Sequence, residues 1–299
     1  MPMEVPYVRL PGWLRRELPE ASAEKTHEIL ARYRLNTVCE LALCPNRPEC
    51  YSRQTATFMI LGQNCTRRCG FCAVPTGKGE PLSFDEPVRV AEAARELGLR
   101  YIVITSVARD DREDEGAGHF AETIRALRQE IPEAEIEVLT PDFHARPELI
   151  AQIVDAAPTV YNHNLETVER LQKSVRPQAG YHRSLSVLRV VKELNPGMTT
   201  KSGFMLGLGE KDEEIYRAAC DLRAAGCDIL TLGQYLAPSA AHLPVEEYIS
   251  PAEFERWETE LRELGFREVF AGPYVRSSYH AGETYMKAEI KNSKGIQKI

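Results

Sequence analysis

Cys65-Thr66-Arg67-Arg68-Cys69-Gly70-Phe71-Cys72 carries three thiols on one short stretch, with three and then two residues between them. Thiolates are the ligands of iron–sulfur clusters, and three on one loop can hold three corners of a cubane cluster. No fourth cysteine is at hand in this spacing, so one iron would stay open. An open iron can bind a substrate or cofactor directly. A zinc site asks instead for four ligands, commonly from paired cysteine knuckles or Cys/His sets. The next histidine after this loop is His119, far along the chain. A disulfide cluster would fit the spacing but belongs to secreted chains.

A second trio lies upstream: Cys39, Cys44 and Cys50, with four and then five residues between them. Pro45, Asn46 and Pro48 predict a rigid loop here rather than helix or strand. Thiolates fixed in such a loop again suit one face of an iron–sulfur cluster, although this spacing alone is the less specific of the two. Six of the eight cysteines thus fall between positions 39 and 72. Cys220 and Cys227 flank a helix end and are expected to be buried structural thiols.

The remaining composition narrows the class. The 299 residues suffice for one large α/β domain or two small ones, with 43% hydrophobic and 27% charged residues. A net charge of −7 and a pI near 5.7 argue against a dedicated nucleic-acid binder. Lys287, Lys291, Lys294 and Lys298 make the C-terminal tail basic; a solvated tail is favoured over one that touches an acidic partner. No apolar run approaches a membrane span. Met1 to Leu10 lacks the basic-then-apolar pattern of a secretory signal. A cytoplasmic protein is expected, one that uses its cysteines for metal or redox work.

Alternating strand and helix patterns surround the thiols. A helix is predicted over Ala23 to Tyr33, and the apolar run Thr57 to Leu61 leads into the Cys65 loop. Ser83-Phe84-Asp85-Glu86 reads as a capping box for a helix whose buried stripe is Val88, Ala91, Ala94 and Leu97, with Gly98 as the stop. Strands are predicted at Tyr101 to Thr105, Ile136 to Leu139, Thr159 to Tyr161, Gly203 to Leu206, Asp228 to Leu232 and Glu268 to Ala271. Helices are predicted around Phe120 to Leu127, Leu149 to Ile153, Ser184 to Leu194, Glu213 to Ala225 and from the capping box Ser250 to Glu253 onward. Such alternation argues for a parallel sheet covered by helices. Periodicity does not separate a barrel from a flat doubly wound sheet, but in both the chemistry sits on loops at the carboxyl ends of strands. The Cys65 loop, Ser106 to Asp111, Asn164 with Glu166, and Gly207 to Glu210 all fall there.

The Cys65 pattern, with Phe71 before its last cysteine, resembles the radical S-adenosylmethionine (SAM) enzymes. Both trios together resemble the lipoyl synthase family over nearly the whole chain. The likeness includes Thr105-Ser106-Val107-Ala108-Arg109-Asp110-Asp111, Asn162 to Val168, Gly233-Gln234-Tyr235-Leu236 and Arg276-Ser277-Ser278-Tyr279. After Arg109-Asp110-Asp111 the family usually has Asp-Gly-Gly-Ala, whereas this chain has Asp114-Glu115-Gly116-Ala117, a departure that bears on the local conformation of that loop.

The resemblance implies a partial (β/α)6 TIM-like barrel of the radical SAM type over 56–272. It implies an N-terminal extension, 1–55, with the auxiliary cysteines and a C-terminal extension, 273–299, with the Arg-Ser-Ser-Tyr motif. It implies two 4Fe–4S clusters and SAM as cofactors. Cys65, Cys69 and Cys72 hold the cluster that cleaves SAM to a 5′-deoxyadenosyl radical. Cys39, Cys44 and Cys50, with a serine as fourth ligand, hold the cluster that donates sulfur and is consumed. Ser278 is preferred over Ser277 by resemblance, since ligand chemistry does not separate adjacent hydroxyls. The substrate implied is an octanoyl chain on a lipoyl carrier domain of a 2-oxoacid dehydrogenase acyltransferase or a glycine-cleavage carrier protein, with sulfur entering at C6 and C8. A reductant such as flavodoxin or ferredoxin and an iron–sulfur carrier for cluster rebuilding are the further partners. Neither nucleic acid nor membrane is involved, and a monomer is expected.

Chemical sense supports these roles. An unactivated C–H bond offers no acidic proton for polar catalysis, so the cofactor must carry the hard step. Alkoxide is a harder ligand than thiolate, which suits a serine-bound iron that has to leave. Phe71 is a candidate to pack near the cluster or the adenine, or simply a core aromatic. Ser106, Asn164 and Glu166 are candidate SAM contacts through hydroxyl, amide and carboxylate groups, against helix capping as the plain alternative. Arg176 could pair with the SAM carboxylate. His163 reads as a satisfied core histidine, and Lys201 is left unassigned. A sulfur-inserting enzyme acting on a free small molecule such as dethiobiotin, and a non-catalytic iron–sulfur or zinc module, are the competing readings.

Overall fold

The computed structural model describes residues 10–15 and 23–296, with side chains to 290. Residues 1–9, Lys298 and the side chains of Lys291 and Lys294 lie outside the described residues.

Helix α1 (Glu24–Arg32) buries Thr26, Ile29 and Leu30 on one face and leads into the short strand β1 (Asn36–Thr37). The stretch through the first cysteine trio is not the expected continuous loop. It holds two short helices, α2 (Val38–Leu41) with Cys39 and α3 (Arg47–Ser52) with Cys50. Pro48 sits in the first turn of α3, where its missing N–H costs no helical hydrogen bond. Thr37 caps α2 by accepting from the Glu40 amide.

Strand β2 (Thr57–Ile60) is buried at every position, as a parallel strand covered on both faces must be. Helix α4 (Glu86–Glu96) follows, and its cap differs from expectation. Ser83 spends its hydroxyl on Asp85, and Glu86 is buried, where it accepts from the Leu61 amide and meets His119 at 2.7 Å. The capping box therefore does not close. The buried face of α4 is Pro87, Val90, Ala91, Ala93 and Ala94, while Val88 is 54% exposed. At about 3.6 residues per turn the buried stripe of Val90, Ala94 and Leu97 lies on the side away from Val88, which therefore faces outward. Gly98 does take the left-handed stop conformation, with φ of 68°.

The alternation then runs as β3 (Tyr101–Ser106), α5 (Ala117–Glu130), β4 (Glu135–Leu139), α6 (Pro147–Asp155), β5 (Val160–Asn162), the turn α7 (Gln172–Val175), α8 (Tyr181–Leu194), β6 (Thr199–Leu206), α9 (Asp212–Ala224), β7 (Ile229–Gln234), α10 (Pro251–Arg262) and β8 (Glu268–Gly272). The Ser250 to Glu253 capping box is formed on both sides, and Phe254, Trp257 and Leu261 are buried. Glu115, where the family usually has glycine, has φ of 47°.

One eight-stranded sheet runs in chain order from β1 to β8. Strands β2 to β8 are parallel, and β1 joins β2 antiparallel. Six strand–helix units, β2 to β7 with their helices, make the partial barrel, and β8 ends it. Residues of α1 to α3 pack into the same apolar cluster as β2 to β5, so the N-terminal segment shares the barrel's core. A last helix, α11 (Ala281–Ile296), packs on β8 and β3. The basic C-terminal stretch is thus helical through Ile296, with Lys287 exposed on it. Tyr101 of β3 and Tyr285 of α11 bring their rings to 5.9 Å. β1 and β8 are the sheet edges, and helix α11 touches both β8 and β3.

Candidate functional site

The Cys65 loop leaves the carboxyl end of β2 and is tied down from several sides. The Cys65 amide donates to Pro75 O at 2.8 Å, and the Gly77 amide to Cys65 O at 3.0 Å. Thr66 reaches the loop after β3 through Ala108 O and Asp110. Arg67, only 7% exposed, sits between two of the thiols and pairs with Asp110 at 2.7 Å and Asp142 at 2.8 Å. Burial alone would raise the Asp142 carboxyl, but its hydrogen bond and charge contact with Arg67 hold it well below the usual carboxylate range. Two amides, of Arg67 at 3.4 Å and Ala108 at 3.3 Å, point at Cys65 Sγ.

A cap of apolar side chains closes over the loop. The Leu243 amide donates to Gly70 O at 3.0 Å, and Tyr235 donates to Leu243 O at 2.7 Å. Gly70 allows this approach, since a Cβ there would meet Leu243 carbons at 2.9 Å. Phe71, partly buried, packs with Val175, Leu208, Tyr235 and Leu243 in this cap.

The expected SAM contacts gather nearby. Asn164 donates to Glu166 Oε1 at 3.0 Å, and Glu166 sits in the left-handed region with φ of 67°. A carboxylate residue held in that region needs its surroundings to fix it; the Glu166 amide bonds Gly203 O and its carbonyl the Met205 amide. Burial raises the Glu166 carboxyl, with Arg176 and Asn164 pulling it back. The hydroxyl of Ser106 and the Oδ1 of Asn164 are buried without a protein partner. Orphaned buried polar atoms of this kind fit a ligand with hydroxyl and amino groups. Arg176 is buried and uses Nη1 on Asn164 O at 3.1 Å and Leu165 O at 2.9 Å, so it also fixes the loop carrying Asn164. His163 is a satisfied core histidine, placed 2.9 Å from Thr140 O and 3.0 Å from Ser184 Oγ.

Cys39, Cys44 and Cys50 line a different cavity, of about 340 Å³. Thr57, Tyr101, Val103, Ser278, Tyr279 and Glu49 line it as well. The two extensions clasp each other across it. Asn46 donates to Tyr274 O at 2.7 Å, and Tyr279 OH donates to Glu49 at 3.0 Å. Ser277 and Ser278 part ways: Ser277 Oγ accepts from Asn164 at 2.6 Å, while Ser278 lines the cysteine cavity.

The thiols of each trio act on one another. Burial pushes Cys39 up to about 12, with Cys44 and Cys50 adding to the rise. Burial likewise pushes Cys72 up to about 12 and Cys69 up to about 11. A cationic metal sharing the site opposes such a rise, and an all-sulfur donor set suits iron–sulfur clusters. No disulfide joins any of the eight cysteines, all of them among the described residues. Cys227 is buried as expected and Cys220 half-buried. A third polar group, Asp110, Glu115 and His144, lies within 4.8 Å, but Arg67 and Arg146 already pair with its carboxylates.

Residues 59–222 match the radical SAM superfamily. A lipoyl synthase of Rubrobacter xylanophilus is 55% identical over 274 residues, which cover 91% of this chain and 85% of that one. A lipoyl synthase of Caldanaerobacter subterraneus is 53% identical over 274 residues, covering 92% and 96%. The chain belongs to the lipoyl synthase family. Solved structures share the fold at low identity. The hydrogenase maturase HydG superimposes with a TM-score of 0.55 at 14% identity, covering 90% of this chain and 67% of that one. SuiB of Streptococcus suis bound to SAM gives 0.52 at 12%, covering 73% and 50%. As a lipoyl synthase family member the chain is a radical SAM enzyme, with SAM and 4Fe–4S clusters as its cofactors. No helix among the described residues is long and apolar enough to cross a membrane.

Several residues that build this site in the lipoyl synthase fold carry no local signal. Arg67 lies inside the cysteine motif, but its partner Asp142 is 75 positions away. Lys201 and Glu137 form a buried pair 64 positions apart. A lysine and a glutamate inside apolar strands were the only hint, since charges so placed must find partners.

Proposed function

We propose that this chain converts an octanoyl group on a lipoyl carrier domain into the lipoyl cofactor by inserting sulfur at C6 and C8. The observation that carries this reading is the single cavity shared by Cys39, Cys44, Cys50 and Ser278, separate from the Cys65 loop. One thiol trio would suffice for SAM cleavage; a second trio with a hydroxyl beside it supports a labile iron site that can give up sulfur.

When bound at Cys65, Cys69 and Cys72, the cluster and SAM supply the one-electron chemistry that removes hydrogen from unactivated carbon. Everything else falls to this chain's residues. Arg67, paired with Asp110 and Asp142, orients the cysteine loop. Phe71, Tyr235 and Leu243 keep water away from it. Ser106, Asn164 and Glu166 are assigned to the SAM hydroxyl and amino groups, and Arg176 to its carboxylate, while also holding the Asn164 loop. Cys39, Cys44, Cys50 and Ser278 are assigned to the second cluster, which is a substrate because its sulfur leaves in the product. Residues 1–55 and 273–299 are accordingly the parts that build the sulfur-donor site onto the barrel of 56–272. A lipoyl domain of a dehydrogenase acyltransferase or a glycine-cleavage carrier delivers the octanoyl chain. A flavodoxin- or ferredoxin-type reductant and an iron–sulfur carrier serve a monomeric cytoplasmic enzyme.

The test is the mass of an octanoylated lipoyl-domain peptide after anaerobic incubation with reconstituted protein, SAM and reductant. Two added sulfurs with deoxyadenosine formed is the expected result. Deoxyadenosine without a mass shift would move the reading to another acceptor.

A further inference from the structure

Lys201 is 1% exposed inside β6, and nothing in the reaction outlined above uses it. Its ammonium donates to Glu137 Oε1 at 3.0 Å, to Glu137 Oε2 at 3.1 Å and to Ser277 O at 2.6 Å. Three donors meet three acceptors, so the group is fully spent. Glu137, itself fully buried, also accepts from Asn162 at 2.8 Å and from Tyr101 OH at 2.6 Å. Its four contacts fix the carboxylate from β3, β5 and β6 together.

The unusual member is the Ser277 carbonyl. A buried Lys–Glu pair that reaches from β6 across β5 to β4 needs no help from a chain segment 76 positions away. Here that segment is the Arg-Ser-Ser-Tyr stretch, and it is held twice at one residue. Lys201 takes the Ser277 carbonyl, and Asn164 takes the Ser277 hydroxyl. Gly233 lets Val275, two residues before Ser277, pass over β7, since a Cβ there would overlap the Val275 carbonyl. With residue 277 pinned at two points, the next side chain, Ser278, is delivered to the cavity of Cys39, Cys44 and Cys50.

We propose that Lys201, braced by Glu137, is a positioning residue that sets the Ser278 hydroxyl in the auxiliary cysteine cavity. This inference rests on the assignment of Ser278 as the fourth ligand there. Partners that orient a metal ligand typically matter about 10- to 100-fold for metal retention. Lys201 acts one residue away from its ligand, through the backbone, and the effect is expected at the lower end.

The experiment measures iron retention rather than turnover. Full-length protein with Cys65, Cys69 and Cys72 replaced by alanine is reconstituted, so that the bound iron belongs to the auxiliary site. Loss of iron to a chelator is followed, and the Mössbauer spectrum is recorded, for this background and for Lys201→Met, K201M/E137Q, Lys201→Arg and Ser278→Ala within it. The double variant leaves no unpaired buried carboxylate, so it remains informative if Lys201→Met fails to fold. The expected result is about tenfold faster iron loss in K201M/E137Q, with a spectrum shifted toward that of Ser278→Ala, and partial recovery in Lys201→Arg. Wild-type iron loss and spectrum in K201M/E137Q, with Ser278→Ala altered, would overturn the role of Lys201 and leave the serine assignment standing. An unaltered Ser278→Ala would remove the serine assignment, and the inference with it.

Discussion

Gly233→Ala is a single-methyl change whose effect follows from the path of the C-terminal extension. A Cβ at 233 would overlap the Val275 carbonyl oxygen, and would lie 3.0 Å from its carbon and 3.2 Å from an Arg276 nitrogen. The two Val275 atoms are backbone, which no side-chain rotation relieves, whereas the Arg276 nitrogen belongs to a guanidinium that can turn aside. To restore ordinary contact the 275–276 segment must retreat by roughly 1 Å. That retreat breaks or stretches the two bonds that end at Ser277, from Lys201 at 2.6 Å and Asn164 at 2.6 Å. A bond from a charged donor contributes about 1.5–3 kcal/mol and a neutral one about 0.5–1.5 kcal/mol. Tolerating the overlap instead costs about 1–3 kcal/mol. The cheaper course destabilises the docked segment by about 1–3 kcal/mol, or roughly 5- to 150-fold in its open population. Trypsin cleavage after Arg276 reports that population when opening is fast relative to cutting. Cleavage should rise by that factor in the apo protein, while SAM cleavage at the Cys65 site persists. An unchanged cleavage rate would refute the placement of the 275–278 segment across β7, and with it the route by which Ser278 reaches the cysteine cavity.

Other perturbations separate the two sites and probe the core. Cys44→Ala should keep SAM cleavage but abolish sulfur insertion, as read by deoxyadenosine and product mass; product from this variant would contradict the sulfur-donor assignment. Cys69→Ala should abolish deoxyadenosine formation, and a normal yield would sink the radical-site assignment. Burial lowers His163 to about 4, with nearby Arg176 adding to the fall, so the imidazole is neutral in the folded protein at pH 7. The unfolded chain therefore binds an extra proton between about pH 4 and pH 6.5, and stability is lost as pH falls through that window. Between pH 7 and pH 5 this group accounts for about 2 kcal/mol of lost stability. Urea unfolding of the apo protein should show that loss, and His163→Gln should reduce it; an equal pH slope in both would place the titration elsewhere.

Local patterns revealed the alternation of strands and helices because parallel strands and helix stripes repeat over a few residues. The three cysteines of the radical loop were legible for the same reason, their spacing being the motif. The helices around Cys39 and Cys50 were not, since Pro48 reads as a breaker yet sits where a first helical turn tolerates it. Ser83 and Glu86 matched a capping box, but His119 and the Leu61 amide, both distant in sequence, claimed Glu86. Tertiary partners overrode a local rule there. The choice between Ser277 and Ser278 hinges on Asn164 and Lys201, more than 70 positions away, so adjacent hydroxyls look alike until the barrel brings those groups to one of them.

The central claim is that the Cys39, Cys44, Cys50 and Ser278 cavity holds the sulfur source. Its most direct test is to reconstitute the protein with heavy-isotope sulfide, remove all free sulfide, and measure the mass of the lipoyl-lysine peptide formed in a single turnover. Heavy sulfur in both inserted positions, lost in Cys44→Ala, is the predicted result. Product carrying only light sulfur would contradict the account.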